Sequence, residues 1–212
     1  LGQSYDGKGL DPIRSALADL SRHPDTARHL AGKLAVHFLS DEPEPALVAA
    51  LAKVWTDSGG DLGQVMAALV SHPAAWAPTA AKVRQPWEFV VAGLRALGVT
   101  GAEVAGWGDD ALEANVLAPL RAMGQPWKAP RGPDGWPERG EAWITPQGLA
   151  ARIDWAMTRP QHLRPSLPLP VDLARTALGD RISDAVQKAA ERAENRAEGV
   201  GLVLSAPEFN RR

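Results

Sequence analysis

Apolar positions recur at the spacing of a single helical face along almost the whole chain. Ile13, Ala16, Leu17 and Leu20 form one such stripe; Ala27, Leu30, Ala31, Leu34 and Phe38 a second; Leu47, Val48, Leu51, Val54 and Trp55 a third. Further stripes follow at Leu62–Val70, at Trp87–Leu97, at Leu112–Met123 and at Leu149–Met157. Helix-start and helix-stop residues bracket them. Asp11-Pro12, His23-Pro24-Asp25, Asp41 to Pro45, Asp61, Pro86, Asp109-Asp110 and Pro146 are starts, with an acidic cap or a proline at the first helical position. Gly59-Gly60, Gly98 and Gly124 are the matching ends. A short helix is expected over 171–178, then a charged, alanine-rich stretch from Ser183 that turns apolar at Val200, Leu202, Val203 and Leu204. No segment alternates apolar and polar residues between hairpin turns. The pattern predicts an all-α chain, a compact bundle of about seven to nine helices forming one domain over 1–212. Residues 125–145 lack a period and form a long ordered loop, and 160–170 is a Pro-rich connector.

Composition narrows the function without naming it. Twenty-three basic against 25 acidic side chains leave a formal charge of -2, which argues against a domain that works by neutralising nucleic-acid phosphates. The absence of cysteine excludes a disulfide framework, a thiolate metal site and a cysteine nucleophile. No apolar run has the ~18 residues of a membrane span. Eight Trp beside one Tyr and three Phe is the strongest bias, and it directs attention to the indoles.

Three of those indoles, Trp127, Trp136 and Trp143, fall in the 125–145 loop with Asp134, Glu138 and Glu141. Flat aromatic faces beside carboxylates and Arg131 or Arg139 suit a sugar-binding groove, where rings stack on the indoles and hydroxyls meet the polar groups. The same carboxylates could cleave a glycosidic bond if two of them faced each other at ~5–9.5 Å. The other reading is that the indoles pin the loop to the core. A second cluster is His29, Lys33 and His37, spaced by four so that each is turned about 40° from the last on one helix. The two histidines stand about 12 Å apart along the axis, too far to share a metal directly. A metal near His37 would need ligands such as Asp25 or Asp41; otherwise the stripe is a polar helix flank. Ser21 with His23 and Ser71 with His72 are neighbours at helix exits, where both residue types are common. Asp184, Lys188 and Glu191 lie at ion-pair spacing on a solvated face. No phosphate-binding, dinucleotide, zinc-protease or nucleophile-elbow string occurs.

The strings themselves resemble a known family. His23-Pro24-x-Thr26-Ala27-Arg28-x-Leu30-Ala31-x-Lys33-Leu34-Ala35-x-His37-Phe38 and Asp41-x-Pro43-x-Pro45-Ala46-Leu47-Val48 resemble the bacterial domain of unknown function 1800. The likeness continues through Gly60-Asp61-Leu62, Pro86-x-Glu88-Phe89-Val90, Gly124-Gln125-Pro126 and Gly132-Pro133-x-Gly135-Trp136-Pro137. It takes in Trp143 and Arg152 and closes on Leu202-x-Leu204-Ser205-x-Pro207-Glu208-Phe209-x-Arg211-Arg212. Trp136 stands where the family pattern has Tyr, keeping an aromatic plate and losing a hydroxyl. Members of the family are about twice this long, so the resemblance implies a C-terminal half whose partner is the N-terminal half of the same protein. It also implies a bacterial, exported or envelope-associated setting, periplasmic or secreted, and no established activity or cofactor. The leading expectation is therefore a non-catalytic helical binding or scaffold domain that meets a glycan or another exported protein. The alternative is a hydrolase of a glycan or envelope polymer, using loop carboxylates or a metal near His37.

Overall fold

The computed structural model describes residues 2–76 and 81–212. The chain forms two compact units, Leu1–Thr79 and Ala80–Arg212. Both are helical, and among the described residues the extended pairing is a single isolated antiparallel bridge, Val83 to Arg211. No described helix is long and apolar enough to cross a membrane.

The first unit holds α1 (Asp11–Arg22), α2 (Pro24–Phe38), α3 (Pro45–Asp57) and α4 (Leu62–Ser71). Its core is narrow because the fully buried residues of α2 are alanines, Ala27, Ala31 and Ala35, four apart on one face, with Leu30 and Leu34 packed partly buried beside them. Small side chains let α3 approach closely, and Leu47, Leu51 and Trp55 fill the seam with Val65 and Leu69 of α4. The Trp55 indole donates to the Ser21 carbonyl at 3.1 Å, tying α3 to the end of α1. Asp61 caps α4 as expected, accepting from the Gln64 amide at 3.1 Å. Asp11 does not cap α1: Leu10 occupies the N-cap, and Asp11 sits inside the first turn, 3.6 Å from Arg14. The apolar stripe of α1 buries no side chain, and Ile13 and Leu17 are more than half exposed.

The second unit comprises α5 (Pro86–Ala96), α6 (Gly101–Ala105), α7 (Asp109–Leu112), α8 (Ala118–Ala122), α9 (Pro146–Leu163), α10 (Pro170–Leu178), α11 (Asp184–Arg192) and α12 (Arg196–Ser205). A π turn over Glu113–Leu117 joins α7 to α8 without a break. The core centres on Trp155 of α9, which meets Phe89 edge-on at 5.5 Å and donates its indole N–H to the Asn115 carbonyl in the π turn at 3.2 Å. Gly93 of α5 is placed against that ring: a methyl group there would lie 2.5 Å from two of its carbons. α12 lies close on α9 because Gly201 presents only backbone to Ala156 and Met157. Val200, Val203 and Leu204 are completely buried in this unit, so the apolar end of the chain closes its own core.

One boundary differs from the pattern. The Pro-rich stretch expected from 160 to 170 as a connector begins later, because α9 continues through Pro160 to Leu163. A proline inside a helix cannot donate to the carbonyl four residues back. That carbonyl, Ala156 O, lies where Gly201 of α12 comes closest, and Pro160 itself is buried, so packing outweighs local preference.

Arg164, just past α9, grips the start of α6. It forms a two-pronged pair with Glu103 at 2.8 and 3.1 Å and donates to the Leu97 and Gly98 carbonyls at 2.9 and 2.6 Å. These hydrogen bonds, and one from the Thr100 amide, pull the Glu103 carboxyl from the ordinary 4.5 down to about 2. A carboxyl lowered in the folded state adds stability that is complete above about pH 4.5 and is lost as the pH falls through about 2. Glu103→Gln should therefore flatten the fall in the urea midpoint of unfolding between pH 5 and pH 2. An unchanged slope would show that the pair does not anchor α6.

Candidate functional site

Widely separated strings of the sequence meet at one place in the second unit. Arg152, on α9, is almost completely buried. Its guanidinium donates to Asn210 Oδ1 at 3.0 Å and to the Arg84 carbonyl at 2.7 Å, and lies over the Phe89 ring at 5.1 Å. Its Nε finds no acceptor among the described residues. Burial pulls its pKa down to about 10, opposed in part by the negative charge of Glu88. Arg84 in turn donates to the Phe209 carbonyl and lies over that ring at 4.8 Å. Glu88 accepts from the Gln85 amide at 2.9 Å at the start of α5 and faces Arg212 Nε at 2.9 Å. Backbone bonds from Arg212 to the Lys82 carbonyl (2.8 Å) and from Arg84 to the Asn210 carbonyl (2.9 Å) complete the clasp between the start of α5 and the chain end.

From this clasp the loop before α9 is held in turn. Gln125 accepts from the Trp87 amide at 2.7 Å and donates to the Gln85 side chain at 2.9 Å. Gln85 donates to the Pro137 carbonyl at 3.4 Å, and the buried Trp143 indole donates to the same oxygen at 3.0 Å. Lys82, also buried, donates to the Glu138 carbonyl. Between these anchors, Gly132-Pro133-Asp134-Gly135 closes a turn, with the Gly135 amide donating to the Gly132 carbonyl at 3.3 Å. Proline at the second position and glycine at the fourth, here at φ +86°, suit that turn.

The turn walls a groove of about 720 Å³ whose lining includes Arg121, Arg131, Asp134, Trp136, Trp143 and Gln147. Trp143 is a fixed floor, 6.1 Å from the Trp136 ring and inclined at 60° to it. Trp136 is half-buried, and its indole N–H has no partner among the described residues. Arg131, Asp134 and Gln147 make no hydrogen bond or ion pair among the described residues, while Arg121 is committed to Glu113. Among the described residues the groove thus offers the Trp136 face beside the Trp143 floor, with a free carboxylate, a free guanidinium and a free amide around them.

The family profile described as "Protein of unknown function (DUF1800)" matches residues 1–211, essentially the whole chain. The chain belongs to the DUF1800 family. No curated protein and no solved structure matches it. In this DUF1800 chain the strings that carry the resemblance in the second unit, around Glu88, Gln125, Trp136, Trp143, Arg152 and Phe209, are those the clasp joins.

The residues singled out from the sequence separate into groups. Trp136, Trp143 and Asp134 share the groove; Glu138 and Glu141 do not line it, and Glu141 is exposed. Trp127 packs instead on Trp87, ring centres 4.7 Å apart, because Lys128 adopts φ +53° in a turn closed by the Ala129 amide on the Pro126 carbonyl. On α2, His29 and Lys33 are exposed and His37 is half-buried with its ring edge-on to Phe38 at 4.6 Å. No group of three or more His, Asp or Glu among the described residues is placed to hold a metal. The histidine of each Ser–His neighbour pair is engaged at a helix end: His23 Nδ1 accepts from the Asp25 amide at 3.1 Å and His72 Nδ1 from the Ala74 amide at 3.2 Å. On α11, Asp184, Lys188 and Glu191 are exposed, and the side-chain bond there runs from Gln187 to Glu191 at 2.9 Å.

The pairing of Gln85 with Gln125 carries a signal in the sequence. Gln-Pro-Trp occurs twice, at 85–87 and at 125–127. The two glutamines bond each other and the two indoles pack together, so the repeated tripeptide marks a contact between the start of α5 and the loop after α8.

Proposed function

We propose that this DUF1800 chain is a non-catalytic binding domain and that the groove at Trp136 takes a glycan. The observation that carries the reading is the groove's lining: a half-buried indole with a free N–H stands beside Asp134, Arg131 and Gln147, which have no partner among the described residues. Sugar rings stack their C–H faces on an indole, and the polar groups around it meet hydroxyls. Trp136 in place of the family's tyrosine keeps the plate and supplies an N–H donor where the hydroxyl would be. The exported or envelope-associated setting rests on the family resemblance, and it is where such a polymer is met.

A hydrolase built on this loop has less support. Acid–base cleavage of a glycosidic bond takes two carboxyl groups facing one cleft, and Asp134 is the carboxylate among the described groove residues.

A soluble β-1,4-linked N-acetylglucosamine oligomer, followed by calorimetric titration, separates the readings. Trp136→Ala should weaken binding roughly tenfold, equivalent to ~1.4 kcal/mol. Glu138→Gln and Glu141→Gln should leave the affinity unchanged. Affinity that survives Trp136→Ala, or oligomer cleavage that disappears with either glutamine variant, would overturn the proposal.

A further inference from the structure

The second unit carries another cavity that the groove does not use. It is a pocket of about 490 Å³ between α5, α6 and the π turn. Its floor is aliphatic: Val90, Leu94 and Val116 are core residues, and Val104 of α6 closes one side. Its mouth is framed by the two packed indoles of the Gln-Pro-Trp repeats, Trp87 and Trp127, which are 39% and 49% exposed. Such indoles are amphipathic and suit the boundary between an apolar interior and water.

Charge at this mouth has one sign. Arg95 lines the pocket, is exposed, and has no ion pair or hydrogen-bond partner for its side chain among the described residues. Lys128 stands on the neighbouring turn, its ammonium 5.7 Å from the Trp127 ring centre. No carboxylate among the described residues lines the pocket. The nearby Glu103 is already held by Arg164. Lys128 also holds φ +53°, a backbone region that non-glycine residues adopt at a cost. That conformation belongs to the turn that sets Trp127 against Trp87 at the mouth. The volume lies in the range of small-molecule sites, which are mainly apolar with a few placed polar groups.

We infer that this pocket binds a single-chain amphiphile, a fatty carboxylate monomer, with its hydrocarbon on the aliphatic floor and its anionic head at Arg95. Calorimetric titration with octanoate, decanoate and dodecanoate, each below its micellar concentration, tests this. Affinity should rise about fourfold per added methylene until the pocket is full. Arg95→Gln, at an exposed position, should weaken decanoate about tenfold and leave decanol unchanged. Val104→Trp should fill the pocket and abolish both. Trp127→Ala, in an exposed turn, should weaken both if the Val104 variant does not fold. Anionic phospholipid vesicles should not displace decanoate. No binding, affinity independent of chain length, equal loss of acid and alcohol in Arg95→Gln, or displacement by vesicles would each overturn the assignment. The groove at Trp136 is a separate site, so Trp136→Ala should leave decanoate binding intact.

Discussion

Arg152→Ala should cost the Ala80–Arg212 unit about 3–5 kcal/mol, the scale for breaking a buried charged network by removing one member. Domains are stable by only ~5–15 kcal/mol in total. The side chain is 1% exposed and supplies two hydrogen bonds at once, to Asn210 and to the Arg84 carbonyl. Its loss strips those buried acceptors of its donors and opens a void beside Phe89. Burial strips water from the guanidinium and disfavours its charge, the same effect that pulls its pKa down to about 10. Arg152→Met, which fills the space without the charge, should therefore cost less than Arg152→Ala. Arg152→Lys should recover little, since an ammonium cannot reproduce the planar fork. Urea unfolding of the three variants supplies the ranking, and equal losses for Ala and Met would contradict it.

Trp155→Ala should be comparably damaging, ~3–5 kcal/mol for the removal of a large buried aromatic. The ring touches α5 through Phe89 and Gly93, and its N–H satisfies the Asn115 carbonyl. That carbonyl sits in the π turn, where the regular helical ladder is interrupted. Trp155→Phe keeps most of the packing and drops the hydrogen bond, so it should cost about 1–3 kcal/mol, the range for leaving one buried acceptor unmade. The measurement is again the urea midpoint. A phenylalanine variant as weak as the alanine one would place the importance in the hydrogen bond rather than in the packing.

Much of this architecture is legible in the chain because local signals and packing agree. Asp61, Pro86 and Pro146 start helices where the text puts them. The stripes of α3 and α5, with the alanines of the α2 stripe, supply the buried faces, while Phe38 of that stripe stays exposed. Legibility fails where distant residues decide. Arg152 stands in a polar-looking stretch, and nothing local shows that its partners lie 58 and 68 residues away. Pro160 reads as a helix end, yet packing carries α9 past it. Trp127 stands beside Trp136 in the text but is turned elsewhere by the positive φ of Lys128, which no residue preference announces. In the groove, Trp136, Trp143 and Asp134 were readable as a cluster because turn chemistry at Gly132–Gly135 keeps them local. Arg131 adjoins that turn and was readable with them, whereas Gln147, which joins them from the start of α9, depends on how that helix is seated.

The most direct test of the groove as a ligand surface is to follow the indole N–H signals of a 15N-labelled sample during titration with the N-acetylglucosamine oligomer, assigned by Trp→Phe variants. The Trp136 signal should move and saturate, because its N–H has no partner among the described residues. The Trp143 signal, already bonded to the Pro137 carbonyl, should move less, and those of Trp87 and Trp127 should stay in place. A Trp136 signal that stays fixed in excess oligomer, or changes confined to Trp87 and Trp127, would contradict the account.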